Sequence, residues 1–310
     1  MSDAIDLWET PQADEIYMIV GWRQWADAGS VSSALPSYLI RETEARHIGN
    51  LKPDGFYLFQ IPGTHHLIRP VVKFEQGFPR ALDTQRNEFY FTGDSKRGLL
   101  FFLGDEPHLD AERYVGSVLD VAKQFKVKRI IGLGGVYGEL PYDKERMISS
   151  SYSMHYLKDE LLELGVNLSD YQGGASIGSY FTRRAGEREI EYVSFHAFVP
   201  SYDFTGYEEI GNTIRIENDF MAWLGIMRRI NHMLKLDFDL ADLEKRSERL
   251  IKVVQAKVDE LEAKAPQLGV RDYMSRLADG FEEVVFQPLG AVWEDEFRRL
   301  FEEGDEEEEE

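Results

Sequence analysis

The sequence predicts an α/β fold: a mostly parallel sheet flanked by helices, followed by a carboxyl-terminal helical annex. Three observations carry that reading. Short apolar or aromatic runs bounded by Gly, Pro, Asp or Asn recur through the first two hundred residues, with the length and punctuation of strands. Between them lie segments with apolar residues at steps of three and four, the spacing of amphipathic helices. Strands alternating with helices favour parallel pairing. From Asn212 onward only helical stripes are left.

The opening unit sets the pattern. Residues 16–20 are apolar and end in Gly21-Trp22, a turn-rich loop occupies 23–29, and Ala, Leu and Tyr then recur at helical spacing up to Leu39. This reads as a buried strand, a loop at its carboxyl end and a returning helix. In open α/β sheets such loops are where ligands and partners bind. Pro36 lies in that helix, where an interior proline costs about 3 kcal/mol, so the helix is expected to start late or kink.

Further strands are predicted over 56–61, 71–74, 88–91 and 98–103. Tyr114, Val118, Val121 and Phe125 make 110–125 a helix, and 129–133 is another buried strand. Residues 147–152 read as a short strand, and 155–164 as a helix stopped by Gly165. A helix over 175–185 follows Gly173-Gly174, and 192–198 is a continuous apolar strand closed by Pro200. In the annex, Ile216 to Leu234 and Leu243 to Leu261 form two stripes, and a break at 265–269 precedes helices over 272–286 and 293–301. The expected organisation is an acidic segment at 1–15, an α/β domain at 16–211, the annex at 212–301 and an acidic disordered tail at 302–310.

Composition narrows the function. Of 310 residues, 43% are hydrophobic and 13% aromatic, enough for a sizeable core. The absence of cysteine excludes a disulfide scaffold, a thiol nucleophile and a thiolate metal site. A net charge of −21 argues against nucleic acid as a partner. The tail holds eight of the acids, and the rest of the chain is still acidic without them. The longest apolar stretches fall far short of a membrane span, and the amino terminus lacks a signal pattern. The expectation is a cytoplasmic protein with no membrane partner.

No convincing catalytic constellation emerges, and no catalytic residue is assigned. After the strand at 129–133, Gly132, Gly134, Gly135 and Gly138 suggest a dinucleotide loop. The third glycine of that fingerprint falls on Tyr137, however, and Glu139-Leu140-Pro141 follows instead of a helix. These glycines are expected to serve a tight turn and close backbone approach. Gly173, Gly174, Ala175 and Ser176 stand at a helix start, where free amides and the dipole favour an anion such as phosphate; a helix start with small residues for packing is the plainer reading. Gly174-Ala-Ser176-Ile-Gly178 has the letters of a nucleophile elbow without its strand or a placed acid. The seven histidines, His65-His66 among them in a predicted loop, show no metal-ligand spacing, so no metal and no cofactor are expected.

Three segments in order resemble the proteasome assembly chaperone 2 family, in its bacterial or archaeal form. The first is Gly21-Trp22 with Asp27-Ala28-Gly29 and a helix ending near Tyr38-Leu39. The second runs from Arg69-Pro70 through Gly104-Asp105-Glu106-Pro107 to Gly134-Gly135 and Leu140-Pro141. The third is Tyr171-Gln172-Gly173-Gly174-Ala175-Ser176-Ile177-Gly178, followed by Ala197-Phe198-Val199-Pro200-Ser201-Tyr202. The resemblance implies a nucleoside-phosphorylase-like sheet, self-association with trimers among the assemblies, and a role with proteasome subunits or another protein client. Members that dock on the proteasome can end in a hydrophobic–tyrosine–any-residue tail. Residues 306–310 here are glutamates, so docking by that route is not expected.

The leading expectation is therefore a protein-binding, assembly-chaperone-like homo-oligomer. Its binding rim would comprise Trp22, Arg23, Trp25, Asp27, Gly29, Gly134, Gly135, Pro141, Pro200 and Tyr202. Trp22 and Trp25 would act as apolar anchors, and Asp27 would cap the following helix. The alternative is a small-molecule or nucleotide-binding enzyme, ATP-dependent ligase-like or phosphorylase-like, using the cleft at the strand carboxyl ends.

Overall fold

The computed structural model describes residues 3–23, 25–60, 69–204 and 213–286. The amino-terminal half supplies β1 (Ile5–Leu7), β2 (Glu15–Arg23), α1 (Ala34–Glu42) and β3 (Arg46–Leu51). It continues with β4 (Val71–Glu75), β5 (Phe78–Asp83), β6 (Asn87–Gly93), β7 (Arg97–Asp105) and α2 (Ala111–Gln124). Then come β8 (Val127–Gly138), β9 (Ile148–Tyr152), α3 (Lys158–Glu163), β10 (Asn167–Leu168), α4 (Ile177–Glu187) and β11 (Glu191–Asp203). The chain finishes its described part with β12 (Thr213–Arg215), α5 (Phe220–Leu234), α6 (Ala241–Lys264) and α7 (Val270–Asp279).

Ten strands form one sheet in the order β1-β3-β6-β7-β2-β8-β11-β9-β10, with β12 on β11. The four central strands β7, β2, β8 and β11 are parallel. Antiparallel pairs flank them on both sides. Central strands buried on both faces must alternate between two cores, and they do. Met18, Val20 and Trp22 of β2 join Leu100, Phe102 and Ile130 in a core closed by α2 and α4. Ile19, Phe101, Ile131, Leu133, Val193 and Phe195 join the opposite core, which α1 and the annex helices α5 and α6 close. The annex thus shares one hydrophobic core with the sheet.

Helix starts follow local chemistry. Ser176 accepts the Ser179 amide (3.2 Å), and Asp219 accepts those of Met221 and Ala222 (3.1 Å each). Pro36 is the third residue of α1, inside the first turn, where its missing N–H would have no partner anyway. The helix starts late rather than kinking.

Several expectations need correction. Residues 56–60 are not a strand: Phe56 is buried beyond a turn, and its carbonyl accepts the amides of His108 (2.8 Å) and Leu109 (3.0 Å). Gly132, Gly134 and Gly135 make no tight turn, because β8 continues through them to Gly138. The helix predicted over 272–286 ends at Asp279, before Gly280. The strand end at 61, the His65-His66 loop, the helix at 293–301 and the tail at 302–310 lie outside the described residues.

Candidate functional site

The loop after β2 is held by its own polar groups. Oδ1 of Asp27 accepts the amides of Ser32 (2.9 Å) and Ser33 (3.0 Å), and Oδ2 accepts the Ser33 hydroxyl (2.7 Å). The carboxylate thereby caps the approach to α1; desolvation raises its pKa against the pull of these bonds. Gly29 turns the chain with φ 62°, and a Cβ there would sit 2.7 Å from Asp219 Cβ. Its carbonyl accepts the Asp219 amide and the Trp223 indole N–H, both at 3.0 Å. Gly135 donates its amide to the Ala26 carbonyl (2.7 Å), clamping this loop onto the end of β8.

Trp22 is not at a rim. It is 3% exposed, packs on Phe102 and Phe181, and donates Nε1–H to the Tyr114 hydroxyl (3.1 Å). Side chains alternate along a strand, so Trp22 follows Met18 and Val20 into the core. Arg23 makes a two-pronged bond to Asp105 (2.6 Å twice) and lines a separate charged recess. Trp25 is 62% exposed.

Pro141, Pro200 and Tyr202 are buried in a joint between the sheet and the annex. Pro200 pairs with Gly138, and the Tyr202 hydroxyl bonds the Leu140 carbonyl while its ring meets Tyr273 edge-on. At the heart of this joint is a buried ion pair that the sequence reading missed. Arg146 Nε meets Asp219 Oδ2 at 2.7 Å, with the two side chains 1% and 0% exposed. Arg146 also donates to the carbonyls of Pro141 (3.3 Å), Tyr142 (3.1 Å) and Lys144 (2.8 Å).

What the structure does gather is a cleft of about 1280 Å³ beside α4. Trp25, Asp27, Gly135, Gly174 and Ser176 line it, from the expected rim and anion site. Its floor comes from β9 and β11, where Ser149 stands opposite His196 and Ser151 opposite Ser194. The Ser151 and Ser194 hydroxyls bond each other at 2.7 Å. Gly134, directly beside His196 in the sheet, leaves room for the imidazole, whose ring occupies the space a Cβ would take.

The start of α4 already has its anion. Glu106 Oε1 accepts the Ile177 amide at 2.8 Å. Burial raises the Glu106 carboxyl, while the amides of Ile177 and Trp25 draw it back down. A carboxylate at a helix amino end is favoured by the dipole, and here it comes from the Gly104–Pro107 stretch. Gly173 lies against the Tyr171 ring, and Gly174 faces open space.

Among the described residues, no group of three or more His, Asp or Glu is placed to hold a metal, and no helix is long and apolar enough to cross a membrane. A model described as the PAC2 family matches residues 21–258, most of the chain. The chain belongs to the PAC2 family. No curated protein matches its sequence significantly.

Solved structures similar to this PAC2 chain show its fold. A proteasome-assembly chaperone homologue from Mycobacterium tuberculosis is 19% identical, with a TM-score of 0.65 over 77% of this chain and 94% of its own. A PAC2 family protein from Streptomyces avermitilis is 20% identical, with a TM-score of 0.65 over 84% and 99%. An archaeal proteasome activator from Pyrococcus furiosus is 17% identical, with a TM-score of 0.56 over 81% and 97%.

His196 gives the site a pH signature. Burial holds its imidazole neutral and lowers its pKa to about 4. The unfolded chain takes up that proton near pH 6.5, so this group's contribution is fully present above about pH 6.5. It is lost as the pH falls toward 4, by about 3 kcal/mol in all. Urea titrations at pH 7 and pH 4 should show that loss in the wild type, and His196→Phe should lack this component. Equal slopes in both proteins would rule it out.

Proposed function

We propose that this PAC2 protein is a protein-binding, assembly-chaperone-like protein that works as a homo-oligomer in the cytoplasm. It needs no cofactor, and its partners are proteasome subunits or another protein client. Family membership supports the reading, as does a fold shared with a proteasome-assembly chaperone homologue and an archaeal proteasome activator. One observation of the chain itself carries it furthest. The β4–β5 hairpin pairs with no other described strand, and Val71, Phe74, Phe78 and Leu82 on it are each more than half exposed.

A lone two-stranded hairpin is marginal in water, and clustered exposed apolar side chains mark a contact surface. Its charges cancel in two ion pairs, Lys73–Asp83 (2.8 Å) and Arg80–Glu75 (2.6 Å). An arm with no net charge and exposed apolar side chains suits contact with another protein on a chain whose net charge is −21. The nucleotide alternative draws on the start of α4, where Glu106 already takes the Ile177 amide.

Light scattering on the purified chain, together with cross-linked co-purification from the native host, tests the proposal. Phe74→Ser with Leu82→Ser should abolish self-association and partner capture. Because both side chains are exposed, each change should alter folding stability by no more than about 0.5 kcal/mol. A wild type that is monomeric and recovers no proteasome subunit or other stable partner would defeat the reading.

A further inference from the structure

The protein-binding reading leaves the cleft beside α4 unused, and its chemistry is selective. The charged side chains among its described lining residues each have a partner nearby. Asp27 is spent on the amides and hydroxyl of its own loop. Arg183 is bonded to Glu187 (2.8 Å), which also holds Arg184 (2.6 Å). The helix amide that would receive an anion is taken by Glu106. Among the described lining residues the charged side chains are thus paired locally, and the side chains without a partner are uncharged.

What faces the space is uncharged. The largely buried His196 imidazole and the Ser149 hydroxyl stand directly across from each other on β11 and β9. Neither has a hydrogen-bond partner among the described residues. Burial keeps the imidazole neutral, so it offers one donor and one acceptor. Both residues are partly exposed to the cleft, so their polar atoms are open to a ligand that can take the place of water there. Trp25 and Tyr171, both more than half exposed, also line the cleft, and aromatic side chains stack well on other rings. The volume of about 1280 Å³ exceeds that of an ordinary small-molecule pocket, leaving space for a ligand with its water.

We propose that this cleft binds an uncharged ring-shaped ligand with adjacent donor and acceptor groups, its polar edge on His196 and Ser149 and its ring face against Trp25 or Tyr171. A nucleoside lacking phosphate and a free sugar both meet that description. Gly134 is a positioning residue for this site, because only a residue without a side chain leaves the imidazole where it is.

Titration of the full chain at pH 7.5, followed by calorimetry and ligand-observed NMR, tests this. Adenosine, guanosine and uridine form the nucleoside arm, glucose and galactose the sugar arm, and AMP and glucose 6-phosphate are the charged controls. Saturable binding is expected in one neutral arm, weaker in its phosphorylated counterpart. Ser149→Ala should weaken it about tenfold, the equivalent of one hydrogen bond, and His196→Phe by at least as much. Ser149→Ala is mild enough to keep the result readable if the histidine variant does not fold. No saturable binding in either neutral arm, tighter binding of the phosphorylated compound, or affinity unmoved by Ser149→Ala would each overturn the proposal. None of these outcomes bears on the hairpin or on protein partners, so the two readings fail separately.

Discussion

Asp219→Ala is expected to cost about 3–5 kcal/mol of folding stability, the range for stripping one member from a buried ion pair. The size follows from how much one carboxylate does. Asp219 holds Arg146, with both side chains almost fully buried, and caps α5 through the amides of Met221 and Ala222. Its own amide is bonded to Gly29. The alanine variant leaves a buried guanidinium without its counter-ion and adds a lost cap worth about 1 kcal/mol. Urea denaturation monitored by tryptophan fluorescence measures this directly.

Two companions make the result specific. Asp219→Asn keeps a capping oxygen while losing the charge, so it should fall between wild type and alanine. Arg146→Met combined with Asp219→Ala removes both charges, and should cost clearly less than the two single changes added together. A loss below about 1 kcal/mol for Asp219→Ala would mean that the joint does not hold the annex to the sheet.

That joint marks where sequence reading stopped. The central strands were legible because burial on both faces writes them as continuous apolar runs, as in β2, β7 and β11. The antiparallel flank was only partly legible: β6 and β9 read as strands, but β3, Arg-His-Ile-Gly-Asn-Leu, did not, nor did β5 of the separate hairpin, which is exposed along its whole length. Neither shows the alternation that a half-buried strand would have. Phe56 misled in the other direction. An aromatic run looks like a strand, but here the residue fills a core position from beyond a turn.

The site was legible in pieces. Trp25, Asp27 and Ser176 stood out as polar or aromatic residues at strand ends and helix starts, and they meet in the cleft. Trp22 was misplaced because composition says nothing about which face of a strand a residue takes. A count of strand parity from Met18 would have sent it inward. Asp219 lay inside the stripe predicted from Ile216, and the helix starts only after it, at Phe220, with Asp219 as its cap. Arg146, Ser149 and His196 carried no signal, since their roles come from pairings across β9, β11 and α5 that no local pattern encodes.

The glycines allow the sharpest separation of a tight fit from mere presence in a loop. At Gly135 an added Cβ would overlap the Ala28 carbonyl, which is backbone and cannot swing away. The methyl would also push off the loop whose Ala26 carbonyl accepts the Gly135 amide at 2.7 Å. Gly135→Ala is therefore expected to lose about 3 kcal/mol, the upper end of the range for overpacking. Protection of the backbone amide at position 135 from hydrogen exchange should fall with it. At Gly174 nothing lies within 4 Å of the same methyl. Gly174→Ala should thus change stability by no more than about 0.5 kcal/mol, although both glycines line the same cleft. Equal losses in the two variants would show that the clamp between the loop after β2 and the end of β8 is not what shapes the cleft. A large loss at Gly135 alone, with Gly174 silent, places that clamp at the base of the cleft wall that carries Trp25.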